Sequence, residues 1–90
     1  MARSTITHKA ATEKAVGAFE METAGKRVGY LEYSLVDTAT IAIDYVWVSE
    51  ELRGKQLGKE LVDAAVAWAV ENKRKVVPHC SFARAVLARK

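Results

Sequence analysis

Between residues 41 and 78 the hydrophobic period of this sequence changes twice, and few folds accommodate that change. The run IAIDYVWV, residues 41–48, is rich in β-branched and aromatic residues and reads as a strand. From about residue 58 to residue 72 the spacing becomes helical. Leu61, Val62, Ala65, Val66, Trp68, Ala69 and Val70 face inward or sideways, and Gln56, Glu60, Asp63 and Glu71 form a narrow polar stripe. A helix this apolar must lie flat across a sheet. KVVP, residues 75–78, is a short apolar strand ended by its proline. Strand, helix and strand in this order make a crossover unit, so the second strand runs parallel to the first.

Two further strands precede this unit. In residues 15–23, Phe19 and Met21 alternate with Glu20 and Glu22. In residues 27–36, Leu31, Tyr33 and Leu35 share one face with Gly29, and Val28, Tyr30 and Val36 take the other. A turn at Gly25 joins these two strands, and Asp37 can start the next turn by bonding backbone two residues on. Residues 81–90 are helical in composition, with Ser81 available as a cap and Phe82, Ala85, Val86 and Arg89 at helical spacing. Residues 1–14 are polar and without period, a flexible tail or, around Ile6, a short edge strand. The expected architecture is α+β: a three-stranded antiparallel meander, a βαβ crossover and a short C-terminal helix, with residues 15–90 as one domain. A chain of 90 residues supplies one hydrophobic core and not two.

The chemistry concentrates between strand and helix, in ELRGKQLGKELV. A helix starting near Gly58 leaves its first amides without internal partners, at the positive end of its dipole. Gly54 and Gly58 have no side chains to block approach, and Arg53 and Lys55 add charge. Such a corner suits a phosphate or pyrophosphate. It is equally readable as a solvated turn, since short glycine patterns arise by chance.

This loop resembles the R/Q-x-x-G-x-G/A pyrophosphate loop of the GNAT superfamily of N-acetyltransferases. The downstream ENKRKVVPHCSFARAVLARK resembles a small single-domain GNAT-like subfamily with a Pro-x-Cys segment after the helix, and GYLEYSL and IDYVWVSEEL fit it too. The resemblance covers roughly residues 15–90. It implies a minimal GNAT fold that binds acetyl-CoA. Amides from Arg53, Gly54, Lys55, Gln56, Leu57, Gly58 and Lys59 would hold the pyrophosphate. The pantetheine arm would lie along Val46, Trp47 and Val48, and the thioester would reach Cys80. The chain departs from the pattern twice. Gln56 stands at the first glycine position, and Tyr45-Val46 stands where relatives often carry His-Thr.

The candidate catalytic residues are Cys80, Tyr45 and Asp44. A thiolate at Cys80, at the start of the last helix, could accept an acetyl group and split transfer into two steps. The competing reading makes Cys80 a small apolar lining residue. Tyr45 could protonate a leaving thiolate, or pack on the sheet. Asp44 could deprotonate an incoming ammonium, or be paired structurally. Alternation along extended chain turns His79 away from Cys80, toward solvent.

Three functional readings follow, in order: acetyl transfer from acetyl-CoA to an amine (a small molecule or a protein amine), directly or through Cys80; a non-enzymatic acyl-CoA-binding module of the same fold; and a basic nucleic-acid-binding domain. The net charge of +3 supports the third only weakly, and aromatic and basic residues are not interleaved as a stacking platform requires. One cysteine with His8 and His79 cannot complete a zinc shell, so a metal-free site is expected. No apolar run approaches the ~20 residues that cross a bilayer. The N-terminus lacks a signal-peptide core, so a cytoplasmic protein, monomeric or weakly dimeric and without a membrane partner, is expected.

Overall fold

Tight turns dictate the first half of the molecule. The computed structural model describes residues 4–12, 14–52 and 56–88. Strands β1 (Ser4–Lys9), β2 (Gly17–Thr23), β3 (Lys26–Asp37) and β4 (Thr40–Val48) form an antiparallel meander, and β5 (Lys75–Pro78) adds to β4 in parallel, giving the order β1-β2-β3-β4-β5. Between β2 and β3, Ala24 (φ 54°) and Gly25 (φ 78°) both take positive φ, whose twist suits a two-residue hairpin. Between β3 and β4, Ala39 N–H donates to Asp37 Oδ1 at 2.7 Å, the side-chain turn expected from the sequence.

A short 3₁₀ turn (Glu50–Leu52) leads toward helix α1 (Leu57–Glu71), and helix α2 (Ser81–Ala88) follows β5. α1 buries Leu61, Val62, Ala65 and Ala69 against Phe19, Met21, Leu31, Tyr33, Ile41 and Ile43 of the sheet. Val70 departs from the expected inward-facing set and is 68% exposed, because it lies on the helix flank away from the stripe of Leu61, Ala65 and Ala69. α2 closes the same core with Ala83 and Val86, while Phe82 and Ala85 are exposed. Cys80 C=O accepts the first bond of α2 from Arg84 N–H at 2.9 Å, so Cys80, not Ser81, holds the N-cap position.

Of the two alternatives for the N-terminal residues, a tail or a short edge strand around Ile6, the strand is the one present, and it extends the meander to four strands. Residues 4–9 pair with β2 as an edge strand, and His8 fixes them there. The His8 ring stacks on Phe19 with centroids 4.1 Å apart and meets Trp68 edge-on at 4.6 Å. Its Nε2 hydrogen-bonds the hydroxyl of Tyr33, whose residue is fully buried. Ala11 N–H also donates to that hydroxyl, at 3.1 Å. With its oxygen accepting from Ala11, the phenol directs its own proton to His8. Burial holds the His8 pKa below its ordinary value and pushes that of Tyr33 up. No helix among the described residues is long and apolar enough to cross a membrane.

Candidate functional site

The site is an opening between β4 and β5, and its origin is a β-bulge. Tyr33 pairs with Ile43 and Glu32 pairs with Tyr45, so Asp44 has no partner opposite it on β3. A bulge bends its strand and sharpens the twist. The parallel ladder of β4 and β5 stops at the same place, at the pair Ile43↔Pro78. Beyond it the chain turns, and His79 N–H and Cys80 N–H both donate to Ile43 O, at 3.0 and 3.1 Å. β4 continues to Val48 with β5 no longer beside it, which frees one backbone edge for an extended ligand.

The start of α1 borders this opening. Gln56 is the N-cap, with φ 63° and ψ 21°, and its side chain makes no capping bond. It therefore occupies the left-handed conformation that suits the glycine its position resembles. The helical ladder begins with Glu60 N–H to Gln56 O at 3.1 Å, leaving the amides of Leu57, Gly58 and Lys59 ahead of it at the positive helix end. Gly58 is buried, and a Cβ on it would stand 2.6 Å from Phe82 Cζ. Its missing side chain thus has a packing reason: it seats α2 against the start of α1. The Lys59 ammonium lies 2.8 Å from Asp63 Oδ2, one helical turn on. Arg53, Gly54 and Lys55 lie outside the described residues.

The other expected residues divide between the two faces of the sheet. Val46 packs against the core, and Val48 is half-buried beside Gly29. Alternation turns Tyr45 and Trp47 to the opposite face, where Tyr30 lies 5.8 Å from Tyr45 and 5.6 Å from Trp47 between ring centroids. Tyr45 is 47% exposed there. Cys80 is a free, half-buried thiol at the head of α2. Asp44 and His79, which the sequence did not associate, meet at the opening, with Asp44 Oδ1 3.4 Å from His79 Nδ1. No local signal could have joined them, because they become neighbours only where the β4–β5 ladder ends. Phe82 was likewise read as an ordinary helix residue, not as the cover of Gly58.

This arrangement offers helix-start amides for an anion, a free strand edge for an amide-bearing arm, and a thiol, a carboxylate and an imidazole beyond that edge.

A sequence profile of a family described as GCN5-related N-acetyl-transferase matches residues 18–90. A comparison with curated protein sequences found no match. Among solved structures, a GCN5-like protein from Staphylococcus aureus is 32% identical, with a TM-score of 0.67, over 92% of this chain and 78% of that one. A ribosomal-protein-alanine N-acetyltransferase from Brucella melitensis biovar Abortus 2308 is 21% identical with a TM-score of 0.70, over 86% of this chain. The aminoglycoside N-acetyltransferase AAC(6')-Iy in complex with CoA is 14% identical with a TM-score of 0.63, over 87% of this chain. The present chain spans 62% and 57% of the lengths of the latter two.

Proposed function

Because the chain belongs to the GCN5-related N-acetyltransferase family, we propose that it binds acetyl-CoA and transfers the acetyl group to an amine. The observation that carries this reading is the opening of β4 from β5 beyond Ile43↔Pro78, with Leu61 in the second turn of α1 and Val48 at the end of β4 both beside Gly29. In this reading the pyrophosphate sits on the amides of Leu57, Gly58 and Lys59, with Arg53, Gly54, Lys55 and Gln56 completing the corner. The pantetheine arm runs along the free edge of Val46, Trp47 and Val48. Tyr45 supplies a proton to the leaving thiolate. The opposite sheet face, where Tyr30, Tyr45 and Trp47 gather without a covering helix among the described residues, receives the amine.

The corner has a clean test. Gln56→Glu is isosteric, exposed and free of side-chain bonds to lose. It adds an anion where the diphosphate would rest. At about 6 Å and an effective dielectric of about 20–80, each charge pair repels by about 0.7–2.8 kcal/mol, a roughly 3- to 100-fold loss of CoA affinity. The helix itself should be unharmed, since an acidic group suits its N-terminus. Calorimetric titration with CoA reads the affinity, and wild-type affinity in this variant would take the pyrophosphate away from this corner. Release of free CoA thiol with amine acceptors separates transfer from mere acyl-CoA binding.

A covalent route through Cys80 is a second reading, favoured by the place of this free thiol at the head of α2, where its amide is anchored to Ile43 O beside the opening. Its sulfur attacks the thioester carbonyl, CoA leaves as thiolate, and the amine then attacks acetyl-Cys80. Mass analysis of protein quenched with acetyl-CoA detects that intermediate. Full activity in Cys80→Ser would leave only direct transfer.

A further inference from the structure

An acyl transfer to an amine needs a group that takes the amine's proton, and Asp44 and His79 meet beside the opening. The two side chains are 37% and 58% exposed, so their own attraction, screened by water, does little to hold them together. What brings them together is the backbone. Asp44 is the bulge residue that follows Ile43, and His79 is the residue that follows Pro78. Ile43 and Pro78 are the last partners of the parallel ladder, and Ile43 O anchors both His79 N–H and Cys80 N–H. The first side chain past the final pair on each strand is therefore delivered to the mouth of the opening.

We propose that His79 is the general base of the acetyl transfer and that Asp44 orients its ring. This rests on the acetyltransferase reading above and adds the residue that makes the acceptor nucleophilic. With Nδ1 facing the Asp44 carboxylate at 3.4 Å, the pair favours the Nδ1–H tautomer, and the lone pair of Nε2 is left for the acceptor. An alkylamine, with a pKa of about 10.4 for a lysine-type group, arrives as an ammonium whose lone pair is occupied. Nε2 takes one of its protons, giving a neutral amine and an imidazolium that the Asp44 carboxylate stabilises. The amine nitrogen then forms a bond to the thioester carbonyl carbon. The tetrahedral adduct expels CoA by breaking the C–S bond, Tyr45 gives its proton to the leaving thiolate and is re-protonated by the second nitrogen proton, and the imidazolium returns its proton to water. The sum is ammonium plus acetyl-CoA giving amide, CoA thiol and one proton.

Asp44 is the weaker choice of base, because imidazole exchanges its proton closer to neutral pH than a carboxylate does. As a positioning residue it acts through the tautomer of His79, and that can be read without any turnover. Nitrogen-15 NMR of the His79 ring in the free protein should show Nδ1–H as the protonated nitrogen, and Asp44→Ala should shift the ring toward Nε2–H. Kinetically, His79→Gln should lower kcat/KM toward a lysine peptide by roughly 10²–10⁴-fold, the usual range for a general base. Its loss toward methoxyamine, whose weakly basic nitrogen is already neutral at pH 7, should be at least tenfold smaller, and its CoA affinity should match wild type. Equal losses with both amines, or a ring that is Nε2–H in wild type, would overturn His79 as base and leave the acetyltransferase reading standing. Wild-type protein that binds CoA and acetylates neither amine would overturn the acetyltransferase reading itself.

Discussion

Replacing Gln56 by glycine isolates the backbone strain at the start of α1. Gln56 holds φ 63° with an exposed side chain that makes no capping bond, so nothing visible compensates its left-handed conformation. A residue bearing a Cβ costs about 1–2 kcal/mol in that region. Glycine removes this cost but gains about 0.4–1 kcal/mol of conformational freedom in the unfolded chain. The difference is a net stabilisation of about 0–1.6 kcal/mol, with a middle value of about 0.8 kcal/mol. Gln56→Ala is the control, because it removes the same side chain and keeps the Cβ. In a domain of this size 1 kcal/mol moves Tm by about 4–8 °C, so the glycine variant should melt roughly 2–8 °C above both wild type and the alanine variant. Differential scanning calorimetry with CoA absent measures this free of any ligand contribution. A glycine variant melting at or below the alanine variant would refute the reasoning, since the backbone at residue 56 would then carry no left-handed strain. Repeating the scan with CoA asks whether relieving the strain also leaves the corner able to bind.

Two further outcomes test the packing beneath the site. In Gly17→Ala the new Cβ would lie 2.4 Å from Tyr33 Cζ and 2.7 Å from Ala11 N, and the fully buried Tyr33 cannot yield, so a loss of about 1–3 kcal/mol is expected as a lower urea midpoint at unchanged slope. Because burial lowers the folded-state pKa of His8, the unfolded chain binds more protons below about pH 6.5. The stabilisation from neutral His8 is complete above that pH and is lost as pH falls through the lower folded value. Denaturant midpoints in His8→Gln should therefore decline less than wild type below pH 6.5, and parallel declines would show that His8 is not the titrating group.

Much of this fold is legible in the residues because the elements around the site carry their own periodicity. The β-branched run of β4, the apolar stripe of α1 and the short KVVP strand each face the core through spacing alone. The left-handed residue 56 is legible in a similar way, through its correspondence to a glycine position. Strand β1 is legible only as one of two alternatives, since Ile6 is only half-covered and His8 reads as polar until Phe19, Tyr33 and Trp68 gather around it. At Gly58 the small size is visible in the sequence, whereas the Phe82 ring that packs on it comes from another helix. For His79, the alternation of extended chain turns it to solvent, and half of it does face solvent. What alternation omits is the neighbouring strand, whose bulge carries Asp44 to the same point.

The order of elements from β2 to α2 and the parallel direction of the crossover were decided by the amino-acid sequence, because they follow from local periodicity and from the position of turn residues. Where β4 leaves β5, which side chains meet at that departure and why α2 must sit over Gly58 were decided by the tertiary structure. Those features depend on how far two hydrogen-bond ladders run before a bulge on one strand and a proline on the other stop them, and that is a property of paired strands, not of either strand alone.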